Sequence, residues 1–352
     1  MNSVKIGGKI VGRGHPCLIS LEPGATYHNF DEAVSLMEES AKAGADAIKF
    51  QTFLPGDADR MMGKKDIMIT FGTAKGEKTE RVYDALKRRE LTLEQWKQLI
   101  KKSKELQILF ITAPYFPETV DFLVEMNVDA IKVSKGDVNN VLLIQKIAKT
   151  GLPIILDARE KLDDIDKAIQ ICKKENNEKI IIMHCPSGYP AKDSGIHLNA
   201  LKTIQERYSY PVGFADHSKG DSMNYAAVAL GTNMLEKTVT TNKNLEQVEH
   251  YMSLEPSEFA QFIKNIRGIE ESLGDPDILL KSRVEESARR SLVSKTRIKK
   301  GEKISLQMLD YRRPGDAGIS VAEGFKLIDM KAKNDLEEGI FLQWNMFEKD
   351  VK

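Results

Sequence analysis

The chain is poor in the features that place a protein at a glance. Three cysteines in 352 residues, Cys17, Cys172 and Cys185, share no CxxC spacing, which excludes a disulfide framework and a zinc-finger module. Cys17 and Cys185 fall in apolar, strand-like runs and read as small buried hydrophobes. No apolar stretch reaches the roughly 18 residues of a membrane-spanning helix, and residues 1–20 lack a signal-peptide pattern. A cytoplasmic protein without membrane contact is therefore expected. Neither sign of charge is in excess, with 52 basic and 52 acidic side chains, and no basic stripe interrupts the balance, which argues against a nucleic-acid partner. No glycine-rich phosphate loop is present, so no nucleotide or organic cofactor is expected.

What the chain does have is rhythm. Eight short β-prone runs alternate with helical patterns: "CLISLEP" (17–23), "DAIKFQTF" (46–53), "ILFITAPY" (108–115), "DAIKVSKG" (129–136), "PIILDARE" (153–160), "KIIIMHCPSG" (179–188), "PVGFADHS" (211–218) and "NMLEKTVT" (233–240). Helix signals separate them. Gly44 stops the first helix, Thr92 with Gln95 forms a capping-box pattern, and Pro117 opens another helix. Continuous apolar strands between helices mean a parallel sheet covered on both faces, and eight units in strict alternation suit a closed (β/α)8 barrel of roughly 250 residues. An open doubly wound sheet is the structural alternative. The barrel is expected over 1–275, a charged connector over 276–290, and a small β-rich module over 291–352. Residues 54–91 are long for a connection between strand and helix, as lids and binding loops are.

In such a barrel the carboxyl ends of the strands carry the chemistry. Gathered there are Glu22, Lys49, Gln51, Thr112, Lys132, Lys135, Asp157, Arg159, Ser187, Tyr189, Asp216, His217, Glu236 and Lys237. Three lysines and an arginine at one mouth call for an anion, a phosphate or a carboxylate, to neutralise them. His217 can ligate a metal, carry a proton or serve structure alone. Glu22, Asp157 and Glu236 are oxygen ligands or proton carriers that sequence cannot rank.

The strings "AGADAIKFQTF", "TVDFL", "DAIKVSKGD", "GLPIIL", "HCPSGYP", "VGFADHS", "LEK" and "HYMSLEP" stand in one order. "RRSLVSKTRIKKGE" and "RRPGDAGI" follow them. In that order the chain resembles the sialic acid synthase family, the NeuB-like synthases of nonulosonic acids. The tail resembles the family's SAF, or antifreeze-like, domain. The resemblance implies condensation of phosphoenolpyruvate with an N-acetylmannosamine-type aldehyde and release of phosphate, aided by a divalent metal, Mn or Mg. It implies catalytic roles for Glu22, Lys49, Asp216 and His217, with His217 also the metal ligand. It assigns phosphoenolpyruvate to Lys49 and Lys132, and the sugar to Gln51, Tyr189 and Arg313; the strand-end reading adds Thr112, Lys135, Arg159, Ser187 and Glu236 as candidate substrate contacts. Arg313 would reach the site of a partner subunit in a domain-swapped homodimer.

The chain departs from the family pattern at the mouth. Thr238 stands where a second metal histidine is usual, and Ala215 where a phosphate-facing serine is usual. Asp157, Ala158 and Arg159 replace a Ser-Thr-Gly strand end, and Lys135, Gly136 and Asp137 replace Ser-Gly-Glu. Two alternatives follow from these changes: a lyase-type reaction on a keto-sugar acid, or a catalytically silent sugar-acid-binding relative.

Overall fold

A computed structural model of the chain describes residues 3–158, 161–281 and 285–349. The eight apolar runs form eight parallel strands: β1 Leu18–Glu22, β2 Ala47–Gln51, β3 Leu109–Ala113, β4 Ala130–Val133, β5 Ile154–Ala158, β6 Ile180–His184, β7 Val212–Asp216 and β8 Met234–Thr238. Each pairs with the next and β8 pairs with β1, so the sheet closes on itself. After each strand comes its covering helix: α1 Phe30–Lys42, α2 Leu93–Glu105, α3 Pro117–Glu125, α4 Val141–Ala148, α5 Leu162–Lys174, α6 Ala200–Arg207, α7 Ser222–Ala229 and α8 Pro256–Leu273. The fold is a (β/α)8 barrel.

Local chemistry sets the helix boundaries. The Asn29 side chain accepts the Glu32 N–H at the start of α1, and Gly44, at φ +89°, turns the chain out of its end where a Cβ would be strained. Thr92 and Gln95 exchange both bonds of the capping box at α2, and Pro117 occupies the first turn of α3.

The strands read as unbroken apolar runs because both faces are buried. Outward residues such as Ile19, Phe50, Phe110, Leu156 and Phe214 pack under the helices. Inward residues Leu18, Ala47, Ile111, Ala130, Ile155, Ile181 and Met234 fill the lower barrel. A hairpin of strands Val4–Ile6 and Lys9–Val11 closes the bottom, and its Val4, Ile6 and Val11 join this inner cluster. Two residues further along the strands the inward positions turn polar: Leu18 gives way to Ser20 and Glu22, Ala47 to Lys49 and Gln51, Ala130 to Lys132, Ile155 to Asp157, and Met234 to Glu236.

The long 54–91 segment has structure of its own, with short helices Asp57–Met61 and Val82–Lys87 flanking a hairpin, Met68–Thr73 against Gly76–Arg81. Among the described residues no helix is long and apolar enough to cross a membrane.

The chain divides into two compact units, Met1–Gly274 and Asp275–Lys352. The second contains a one-turn helix, Ile278–Lys281, and two antiparallel strand pairs, Ser291–Ser294 with Leu309–Arg312 and Lys331–Ala332 with Phe347–Glu348. It has its own core around Leu292, Ile298, Ile304, Leu327, Leu342 and Phe347.

Candidate active site

The polar inward positions meet at the carboxyl end of the barrel as a chain of alternating charge. Glu22, at the end of β1, accepts from Lys49 Nζ and, at 3.1 Å, from Gln51 Nε2. Lys49 Nζ lies 3.7 Å from Glu236 Oε1, which accepts from Lys132 Nζ at 2.6 Å; Lys132 in turn stands 3.0 Å from Asp157 Oδ1. None of these five charged side chains is more than 5% exposed. They floor a cavity of about 350 Å³, whose walls include Arg89, Tyr115, Lys135, Cys185, Tyr189, His217 and Glu249. Tyr115 donates to Gln51 Oε1 at 2.9 Å, and Lys135 donates to the Tyr189 hydroxyl at 2.8 Å.

Burial and pairing drive the floor residues apart in protonation. Burial opposes the charge on Glu22, but Lys49 and Lys132 outweigh it and hold its carboxyl well below the usual range. Burial, reinforced by the charge of Glu22, pushes Glu236 up to about 7 against the pull of Lys132 and Lys49. Lys49 is raised to about 12: burial works against its charge, and Glu22 and Glu236 overcome that. Lys132 is raised well above its ordinary value because Asp157 and Glu236 overcome the same burial penalty. His217 is lowered, first by burial. Two carboxyl groups on one floor, one fixed as the anion and one near neutrality, can divide the labour of accepting and donating protons.

The expected crowd of unneutralised cations is corrected by this geometry. Lys49 and Lys132 are already paired with Glu22, Glu236 and Asp157, so the floor is close to balanced before any ligand enters. Thr112 and Asp216 also differ from expectation, because strand alternation points them away from the cavity. Thr112 shares a 2.6 Å hydrogen bond with Thr52. The Asp216 carboxylate accepts from Lys237 Nζ at 2.7 Å, Asn224 Nδ2 at 2.6 Å and the Ser218 N–H at 2.7 Å, a buried anchor between strand and helix layers. Lys237 is thereby removed from the mouth as well. Ser187 is exposed and does not line the cavity. Arg159 lies outside the described residues. Arg313 belongs to the second unit, where it lines a surface recess with Arg289, Arg290 and Tyr311.

Gln51, Lys135, Tyr189, His217 and Glu236 line the cavity together with Glu22, Lys49 and Lys132. Arg89 and Glu249 were invisible in sequence, since each comes from an irregular segment whose path no periodicity describes. Tyr115 follows the end of β3 and could have been read from that position. Cys185 is buried as expected, yet it also faces the cavity, 4.0 Å from His217 Nδ1.

The donor set does not fit a metal held by side chains alone. Among the described residues no three His, Cys, Asp or Glu side chains are arranged to hold an ion together. His217 Nδ1 is 3.3 Å from the Pro186 carbonyl, and among the described residues the buried Thr238 hydroxyl has no hydrogen-bond partner.

Known proteins of similar sequence and structure bear on this arrangement. The model of the NeuB family matches residues 36–277. The N,N'-diacetyllegionaminic acid synthase of Campylobacter jejuni subsp. jejuni is 34% identical over 86% of this chain and 92% of its own. The N-acetylneuraminate-9-phosphate synthase of Homo sapiens is 28% identical over 94% of this chain and 92% of its own. Among solved structures, the N-acetylneuraminic acid (sialic acid) synthetase of Leptospira borgpetersenii serovar Hardjo-bovis superposes with a TM-score of 0.69 at 27% identity. That match covers 82% of this chain and 93% of that one.

Proposed function

The chain belongs to the NeuB family, and we propose that it is a synthase of that kind: an enzyme that joins phosphoenolpyruvate to an amino-sugar aldehyde, forms a nonulosonic acid and releases phosphate. The observation that carries this reading is the buried floor of Glu22, Lys49, Glu236 and Lys132 beneath one cavity at the carboxyl end of the barrel.

The chemistry fits these groups. Lys49 and Lys132 present ammonium donors to the acid groups of the donor substrate. Carbon–carbon bond formation turns the aldehyde oxygen into a hydroxyl, which requires a proton, and Glu236 is the floor carboxyl that holds one near neutrality. Water then adds to the oxocarbenium carbon and gives up a proton, and Glu22, fixed as a carboxylate, suits its acceptance. The tetrahedral carbon collapses to the ketone as phosphate leaves. Gln51 and Tyr189 line the cavity and are assigned to the sugar. No step in this reading runs through a metal, because the donor set does not form a cage for one.

Arg313 belongs to the same proposal. It is exposed on the second unit, and reaching the mouth of a second copy would make the enzyme a homodimer. A monomer by light scattering at working concentration would count against that part. A second reading, cleavage of a keto-sugar acid on the same floor, is favoured by Asp157, whose carboxylate crowds the place a phosphate would take beside Lys132.

The test is direct. Incubation with phosphoenolpyruvate and a panel of N-acetylhexosamines, with and without divalent metal, should release phosphate. Silence across the panel together with no calorimetric binding of phosphoenolpyruvate rules the synthase reading out.

A further inference from the structure

Three acidic side chains face two ammonium groups on the cavity floor. Glu22 engages Lys49, Glu236 lies between Lys49 and Lys132, and Asp157 stands against Lys132 at 3.0 Å. A ligand that uses Lys132 therefore finds its charge already countered. The two occupants are held differently. Glu236 accepts a 2.6 Å hydrogen bond from Lys132 and is shared with Lys49, so releasing it disturbs both lysines. Among the described residues Asp157 Oδ1 has no hydrogen-bond partner, and its contact with Lys132 is one of charge. Asp157 lines the cavity with its side chain 5% exposed, so it meets an entering anion in a medium that screens poorly.

Resting on the donor-binding reading above, we propose that Asp157 is a built-in counter-anion for Lys132 that sets the charge selectivity of the cavity. In the empty site it neutralises the lysine. When an acid enters, Asp157 must yield its place beside Lys132 and remain close by, and the resulting repulsion grows with the charge of the ligand. A phosphoryl acid is opposed more strongly than a monocarboxylic acid of similar size. The residue does not take part in bond making; it grades the ligands that reach the lysine.

The experiment is calorimetric titration of the full chain and of the Asp157→Asn and Asp157→Ser variants with phosphoenolpyruvate and, separately, pyruvate. The amide keeps the shape of the side chain without its charge, and the serine supplies a short hydroxyl; thermal melts establish that each variant is folded. Both variants should bind phosphoenolpyruvate about tenfold more tightly than the parent, with pyruvate changed by no more than about threefold, since only the charge-dependent part of the affinity has moved. Unchanged or weaker phosphoenolpyruvate binding overturns the inference, because Asp157 would then be holding Lys132 in place for the ligand. Equal gains for both acids also overturn it, as a purely steric effect. If neither the parent nor the variants bind phosphoenolpyruvate, the donor-binding reading falls and takes this inference with it.

Discussion

Lys132 shows what a single residue does in this floor. Its ammonium separates Glu236 from Asp157, and replacing it with Met would leave two buried carboxylates with one cation fewer. Breaking a buried pair from one side costs about 3–5 kcal/mol. Lys132→Met should therefore lower the unfolding free energy read from urea titration by that amount and abolish phosphate release, and adding Asp157→Asn should recover part of the stability but none of the activity. Glu236 predicts a pH dependence of defined sign. Its folded pKa of about 7 lies above the ordinary 4.5, so between those values the native state holds a proton that the unfolded chain has lost. That contribution is fully present below the lower value and disappears as pH rises through the upper one, at a cost on the order of 3 kcal/mol. Glu236→Gln, which imitates the neutral form, should gain in melting temperature relative to the parent between pH 5 and pH 8. A constant difference across that range would contradict the assignment. Glu22 works in the opposite sense: its depressed pKa contributes stability above the unfolded value, lost as the medium becomes strongly acid. The sequence placed both glutamates at strand ends, but it could not tell which keeps its proton, because that depends on which lysines stand beside each.

Elements were legible wherever their pattern was long. All eight strands and their helices follow from apolar runs, caps and stops, and Asn29, Gly44 and Thr92 do locally what their residue types lead one to expect. The bottom hairpin was not legible. Its strands have three residues each, too few for a period, and "VKIGGKIV" carries no sign that it plugs a barrel. It is tightly seated even so: Gly7 has φ +53°, and a Cβ there would come within 2.4 Å of Leu109 Cδ2. Ile6 is wholly buried in the inner cluster at the end of the barrel away from the mouth. Ile6→Ala should cost about 2–4 kcal/mol of stability, read by denaturant titration. Turnover by the folded fraction should stay unchanged, because the apolar layer separates the hairpin from the charged floor. The 54–91 segment was marked by its length alone. Its hairpin and helices appear only in three dimensions, where Ile69, Val82, Leu86 and Arg89 reach the cavity wall.

For the whole molecule, the division at Gly274 makes the role of the second unit testable. Residues 1–274 hold the closed sheet, the covering helices and every residue of the cavity. A chain ending at 274 should therefore keep barrel-like circular dichroism and bind phosphoenolpyruvate, yet fail to turn over sugar if Arg313 completes a neighbour's mouth. Full turnover by the truncated chain would remove Arg313 from the site. What the sequence determined by itself was the set of repeating units and the level along each strand at which polar residues begin, because period and capping are carried by neighbours in the chain. Only the tertiary structure decided the charge pairing and the faces taken by Thr112 and Asp216. Lys132 and Glu236 are 104 residues apart. Closing the sheet brings their strands across one interior, and no local pattern encodes a distance of that kind.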